Sequence, residues 1–284
     1  MKQSSAQTAL LTTFAMIAFA SNSLLNRLAL GQGTIDALSY TTIRLTSGAL
    51  MLLMIATLKK KKDEKTLRGS WLSAALLFLY AITFSFAYLS LSTGTGALIL
   101  FSCVQITMIL VALKRGERPH IWEWIGLCLA LGGLVYLVFP GITAPTPLGS
   151  TMMAIAGIAW GFYSVRGRGS QNPLADTAGN FVYAIPMILF IRLIALSNIH
   201  ITNQGILLAT LSGALASGLG YVIWYAALRG LTTPRAAIVQ LSVPVIAAWG
   251  GVVLVSEHVS TRLLFAGMLI LGGIALTVLS REKP

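Results

Sequence analysis

Glu117–Gly133 reads ERPHIWEWIGLCLALGG and Glu257–Gly273 reads EHVSTRLLFAGMLILGG, and the two align without gaps at a constant offset of 140. The acid, the short linker and the double glycine stay in register, which apolar composition alone does not account for. At the same offset Ser102 meets Ser242 and Ala97 meets Ala237, and with a three-residue adjustment Tyr88 meets Tyr225. The earlier segments are more diverged, with Phe19 opposite Trp160. The stretch therefore reads as the end of a unit used twice, over residues 1–140 and 141–284.

Working outward, the apolar blocks are each near 20 residues, the length that crosses a bilayer at 1.5 Å per residue. They lie near 8–27, 36–57, 69–90, 94–113, 121–139, 148–165, 174–196, 204–228, 233–255 and 260–280. Ser92-Thr93-Gly94 is the whole connection between the third and fourth, because an unbroken helix of both would overrun a ~30 Å core. Charged residues make up only 10% of the 284 and hydrophobic residues 56%, with a mean hydropathy of +0.81. That is too little polar material to cover a water-soluble surface. The expected fold is all-α and polytopic, with ten transmembrane helices.

Each unit then holds five spans, so the second copy enters the membrane from the opposite side. Inverted halves of this kind are the architecture of alternating access, with a solute site where they meet near the midplane. The net charge of +12 does not point to nucleic acid, since the charges sit between apolar blocks and form no stripe on a polar face. Alternate loops, with both termini, take all but four of the 20 Lys and Arg; Arg27, Arg192 and Arg262 fall on the other side and Arg44 within a span. By the positive-inside rule both termini are expected in the cytoplasm. Ala18-Phe19-Ala20 imitates a signal-peptide cleavage site, but the repeat requires this first span to be retained.

GIAWGFYSV (Gly157–Val165), GLGYVIWYAAL (Gly218–Leu228), AAIVQLSVPVIAAWGGVVLVSE (Ala236–Glu257) and GMLILGG (Gly267–Gly273) resemble the drug/metabolite transporter superfamily, in particular its EamA-type members with ten helices and two repeats. Arg44 also stands where such proteins often carry an arginine. The resemblance covers nearly the whole chain and implies a bacterial inner-membrane exporter of amino acids or other metabolites, or of toxic cations. The first half departs from the pattern where Val104-Gln105 stands opposite Pro244.

Chemistry is sought among polar residues inside the spans, which are costly unless paired or wet. They are Asn22, Arg44, Gln105, Asn180 and Gln240. Gln240 precedes Pro244 by four residues, so a proline inside that helix would free its carbonyl; a tolerated kink, with Gln240 bonded to a neighbour, is the competing reading. Trp160 and Tyr163, and Tyr221 and Trp224 with Tyr225, form arcs that either wall a cavity or anchor the helices at an interface. Arg44 is either the carboxylate partner or organiser of a substrate site or a snorkelling anchor. Tyr88, Gly220, Pro244, Gly272 and Gly273 are expected to serve packing and gating.

His120, His200 and His258 lie near span ends, and Cys103 and Cys128 lack partners at metal-ligand spacing, so no catalytic, metal or cofactor site is expected. No nucleotide-binding motif is present, which excludes ATP-driven pumping by this chain alone. The expected activity is secondary export of small amphipathic metabolites, amino acids foremost, by a single chain in the lipid bilayer. Efflux of cationic drugs is the alternative, and a channel or assembly factor a further one. A cation site wants a buried acid, whereas the one deep formal charge here is positive; proton coupling is expected to be weak for the same reason.

Overall fold

The computed structural model describes residues 4–59, 67–114, 121–139, 141, 144–167, 170–195, 199–231 and 239–280. Glu117, His120 and the start of the expected ninth span lie outside them. The described helices are α1 (Ser5–Gly31), α2 (Ala37–Leu58), α3 (Trp71–Ala87), α4 (Thr93–Lys114), α5 (Ile121–Val138), α6 (Pro147–Gly167), α7 (Pro173–Ala195), α8 (Asn203–Leu228), α9 (Ser242–Val255) and α10 (Thr261–Ser280). Six of them, α1, α2, α4, α6, α7 and α8, are long and apolar enough to cross a membrane; α3, α5, α9 and α10 contain shorter apolar helices.

Local sequence sets the starts. Ser4, Asp36, Ser70 and Thr202 each accept a hydrogen bond from the backbone N–H three residues on, satisfying one donor that a helix N-terminus leaves free. The turn between α3 and α4 begins earlier than the sequence suggested, at Tyr88, which caps α3; α4 then starts at Thr93. Val239 and Gln240 are helical, Leu241 is a right-handed turn residue, and α9 resumes at Ser242, so Pro244 stands one turn after a break in the helical path. Lacking an N–H, Pro244 cannot close an i→i−4 bond to the Gln240 carbonyl, and the break at Leu241 falls where that bond is missing.

Large apolar side chains cover the outside as well as filling the core, while the polar residues of the spans lie inside. Leu58, Phe190, Leu193, Trp249 and Met268 are exposed, whereas Asn22, Asn26, Arg44, Ser85, Ser102, Ser212 and Ser217 are buried. This suits a solvent of hydrocarbon, in which a large apolar residue gains nothing from being hidden and a polar one must find partners within the bundle.

Packing is paired between the two halves of the chain. Helix α3 lies on α6 as α8 lies on α1; α4 lies on α6 as α9 lies on α1; α2 meets α8 as α7 meets α3. Three pairs close the pattern on themselves: α2 with α7, α4 with α9 and α5 with α10. The last pair shows it at atomic detail. A Cβ added at Gly273 would lie 2.5 Å from the Gly126 carbonyl and 3.0 Å from Leu129 Cβ; one added at Gly133 would lie 3.2 Å from the Ala266 carbonyl and 2.8 Å from Leu269 Cβ. Each contact is the other shifted by 140 positions. Of the glycine pair expected to pack, only Gly273 does so, and Gly272 meets nothing within 4 Å. Neighbouring helical residues point about 100° apart, so one of two adjacent glycines faces the partner helix and the other faces away.

Candidate functional site

The deepest polar cluster is built by α1, α2, α3 and α8. Arg44 on α2 is 2% exposed and donates from Nη2 to the Tyr80 hydroxyl at 3.0 Å and from Nε to Ser217 Oγ at 3.4 Å. Its guanidinium carbon lies 5.2 Å from the centre of the Tyr80 ring and 5.1 Å from that of Phe84. Asn22 Nδ2 donates to the same Tyr80 hydroxyl at 3.2 Å, and Ser212 donates to Asn22 Oδ1 at 2.6 Å. One turn further on, Asn26 donates to the Asn22 carbonyl at 2.8 Å.

Helix α8 reaches this cluster because Leu211–Leu219 is wound as a π-helix. Its Ser212 and Ser217 supply hydroxyls, and Gly213 touches the carbonyl of Arg44, where no β-carbon would fit. Wide turns of this kind recur at functional sites.

The charge is incompletely compensated. Arg44 Nη1 and Asn26 Oδ1 are buried without a hydrogen-bond partner, and no acid approaches Arg44 among the described ion pairs. Burying a guanidinium costs several kcal/mol, while each aromatic face returns on the order of 1–2 kcal/mol. A donor left unmet costs about 1–3 kcal/mol more. The cluster thus keeps one buried donor and one buried acceptor without partners.

Aromatic rings close it off. Trp160 lies 4.9 Å from Tyr80 and 5.1 Å from Tyr221, centre to centre. On their other side is a cavity of about 80 Å³ lined by Phe19, Trp160, Tyr163, Tyr221, Trp224 and Gln240 among others. A second, larger cavity of about 330 Å³ adjoins it, sharing Tyr163 and Tyr225, and is lined by Ser70, Ser73, Arg166, Asp176, Thr177 and Asn180. Asn180 joins its walls, donating to the Tyr163 hydroxyl at 3.3 Å and accepting from the Ser70 N–H at 3.0 Å.

The opposite end of the bundle is bridged by polar contacts. Asp36 accepts from Ser39 N at 2.9 Å, Arg192 Nη1 at 3.3 Å and His200 N at 3.2 Å, beside a backbone bridge between Ile35 and Ile201. Burial pushes the Asp36 carboxyl up, but the Ser39 and His200 hydrogen bonds and the Arg192 charge outweigh it and hold it below its ordinary value. Nearby, Glu257 accepts from Arg27 Nε at 2.9 Å and from the Thr93 N–H at 2.8 Å, placing a carboxylate on the N-terminus of α4. Arg27 also reaches the Tyr88 carbonyl, and Tyr88 is fully buried against Gly96.

The EamA-like transporter family model matches this chain twice, over residues 7–139 and 147–279. The chain belongs to that family. The transporter is 49% identical over 275 residues to an uncharacterized protein of Pseudomonas aeruginosa, covering 97% of this chain and 96% of that one. It is 21% identical over 266 residues to the uncharacterized transporter YoaV of Bacillus subtilis, covering 88% and 90% of the two chains. It is 29% identical over 103 residues to the uncharacterized inner membrane transporter YedA of Escherichia coli, covering 36% and 32%. A crystal structure shares the fold at a TM-score of 0.70 and 18% identity, covering 99% of this chain and all of that one. The protein is thus a multi-pass membrane transporter.

Of the residues singled out in the sequence of the transporter, Asn22 and Arg44 meet in the buried cluster, and Trp160, Tyr163, Tyr221, Trp224 and Gln240 line the aromatic cavity. Asn180 joins Tyr163 in the polar one. Gln105 stands apart in α4, with its amide nitrogen buried and unpartnered, and lines neither cavity. Gly220 packs on Ala18 of α1. Tyr80, Asn26, Ser212 and Ser217 were missed. Asn26 had a visible signal, one helical turn after Asn22, whereas Tyr80 had none within its apolar run.

Proposed function

We propose that this transporter exports small metabolites that carry a carboxylate, amino acids foremost, across a bacterial inner membrane by alternating access. In this reading ten helices cross the bilayer as two inverted repeats, 1–140 and 141–284, with both termini in the cytoplasm. The paired packing of α1–α5 with α6–α10 supports the inversion, as does the family model's matching twice with starts 140 residues apart. The open cavities then face the cytoplasm, and the Asp36 end faces outward and is closed.

The observation that carries the substrate class is Arg44: a buried guanidinium with one unpartnered nitrogen, behind an aromatic layer that walls the cavity. A planar fork suits a carboxylate, and the rings beside it suit an apolar side chain. With no deep acid among the described residues to exchange a proton, net flux is gradient-driven efflux. The function needs no cofactor, and one chain in lipid carries both cavities.

The aromatic lining favours one other reading, efflux of organic cations, which bind ring faces. Counterflow in proteoliposomes separates the two. Vesicles loaded with unlabelled amino acids should accumulate a labelled one; no exchange of any amino acid, together with exchange of an organic cation, overturns the amino-acid reading.

A further inference from the structure

The polar cavity holds a residue of each charge. Arg166 donates from Nε to Ser73 Oγ at 3.2 Å, and Asp176 accepts from Ser170 and meets Arg68 Nε only at 3.8 Å. The two charged residues face one space of about 330 Å³ and are not bonded to each other. Between them lie the neutral groups of Ser70, Thr177 and Asn180, which can donate to an anion or accept from a cation. The adjoining cavity is aromatic and begins at the two residues both share, Tyr163 and Tyr225.

The repeat isolates what is special here. Asp36 stands 140 residues before Asp176, at the same position of the first unit. Its carboxylate is taken by Ser39, His200 and Arg192, with the Arg192 pair about 20% exposed on each side. Asp176 keeps a longer and more open pair, in which Arg68 is 49% and Asp176 31% exposed. A pair that long and wet contributes little, so an incoming cationic group displaces it at small cost.

We propose that the Arg166–Asp176 cavity is a loading site for zwitterions, distinct from the Arg44 cluster: Arg166 takes the carboxylate, Asp176 the ammonium, and the side chain enters the aromatic cavity. Two opposite charges held apart across one cavity match an α-amino acid better than they match an anion or a cation alone, because each single charge would also meet repulsion. The site reads the head group before the aromatic layer opens. It rests on the amino-acid reading of the transporter and extends it to residues at the mouth.

The test uses the purified full chain in lipid nanodiscs, with tryptophan fluorescence as the readout. The probes are L-leucine and L-phenylalanine, with two leucine analogues: 3-methylbutylamine, which lacks the carboxylate, and 4-methylpentanoate, which lacks the amine. The whole amino acids should bind roughly tenfold or more tightly than either analogue, because each analogue forgoes one charge-assisted hydrogen bond. Arg166→Gln should weaken leucine by about that factor and bind 3-methylbutylamine no more weakly than the parent does, since it removes a like charge; Asp176→Asn should weaken leucine and bind 4-methylpentanoate no more weakly than the parent does. Equal binding of leucine by both variants and the parent overturns the loading site, as does failure of both amino acids to bind the parent. Counterflow of amino acids by the parent separates failure of this site from failure of the export reading. Amino-acid exchange that persists while these variants bind normally leaves export standing and removes only the mouth.

Discussion

Arg44 donates to the Tyr80 hydroxyl across 3.0 Å, and that bond ties α2 to α3 at the deepest charge in the bundle. Because Trp160 rests on the same tyrosine, the position of the guanidinium is coupled to the wall of the aromatic cavity. Arg44→Lys keeps the charge but loses the fork and the planar group that lies against Tyr80 and Phe84. Counterflow by Arg44→Lys should fall at least tenfold with normal amounts of folded protein, and Tyr80→Phe should lower it less, by removing one acceptor. Near-normal transport and affinity in Arg44→Lys, alongside Arg44→Ala that merely expresses poorly, would return Arg44 to the role of an anchor.

The adjacent glycines of α10 should part company. Gly273 lies against the Gly126 carbonyl and Leu129, so Gly273→Leu overpacks backbone against backbone and costs on the order of 1–3 kcal/mol or more. Gly272→Leu adds a side chain in open space and should leave yield and thermal stability within a few degrees of the parent. Size-exclusion yield and a melting curve for the two variants check this; equal loss in both would mean that α5 and α10 are not packed as described.

Much of this was legible beforehand, and the reasons differ by residue. Helix positions followed from apolar block length, and the Gly133–Gly273 relation from an offset visible in the letters alone. Arg44 stood out because a charge inside a span is rare and expensive. Tyr80 did not, since a tyrosine in an apolar run looks the same whether its hydroxyl faces lipid, water or a guanidinium. The π-helical stretch of α8 was hidden as well. Gly213 lies against the Arg44 carbonyl, and i→i+5 winding depends on what α2 presents there, which no local sequence signal states. Pro244 was legible as a break, because it removes the backbone donor that the Gln240 carbonyl would meet, and the helical path is interrupted at Leu241.

Topology is directly testable. Cys128 is exposed and Cys103 buried, so Cys128→Ser gives a quiet background for labelling. In it, Lys114→Cys should react with an impermeant maleimide only from the cytoplasm and His200→Cys only from outside. Labelling of both from one side would break the inverted arrangement, because α5, α6 and α7 separate the two positions in the chain.

The Asp36–Arg192 pair should act as the outer latch, and its pH response has a defined sign. The native environment holds the Asp36 carboxyl below its ordinary value, so the charged form is the one the closed end favours. A group lowered in this way stabilises the closed state above the ordinary carboxylate value of ~3.9 and loses that contribution only as pH falls through its own lower value. Closure should therefore be flat from pH 8 to pH 5 and weaken under stronger acid. Asp36→Asn mimics the protonated form at neutral pH: it keeps an oxygen for the Ser39 N–H but gives up the charge facing Arg192. Hydrogen exchange at the backbone N–H groups of Asp36 and Thr202, which bond to the His200 and Thr34 carbonyls, reports opening of this end. Exchange there should rise several-fold in Asp36→Asn at pH 7, and a matching rise in Arg192→Gln would assign it to the pair rather than to the helix cap. Unchanged exchange in both variants would show that the backbone bridge at Ile35 and Ile201 holds the outer end closed without the ion pair.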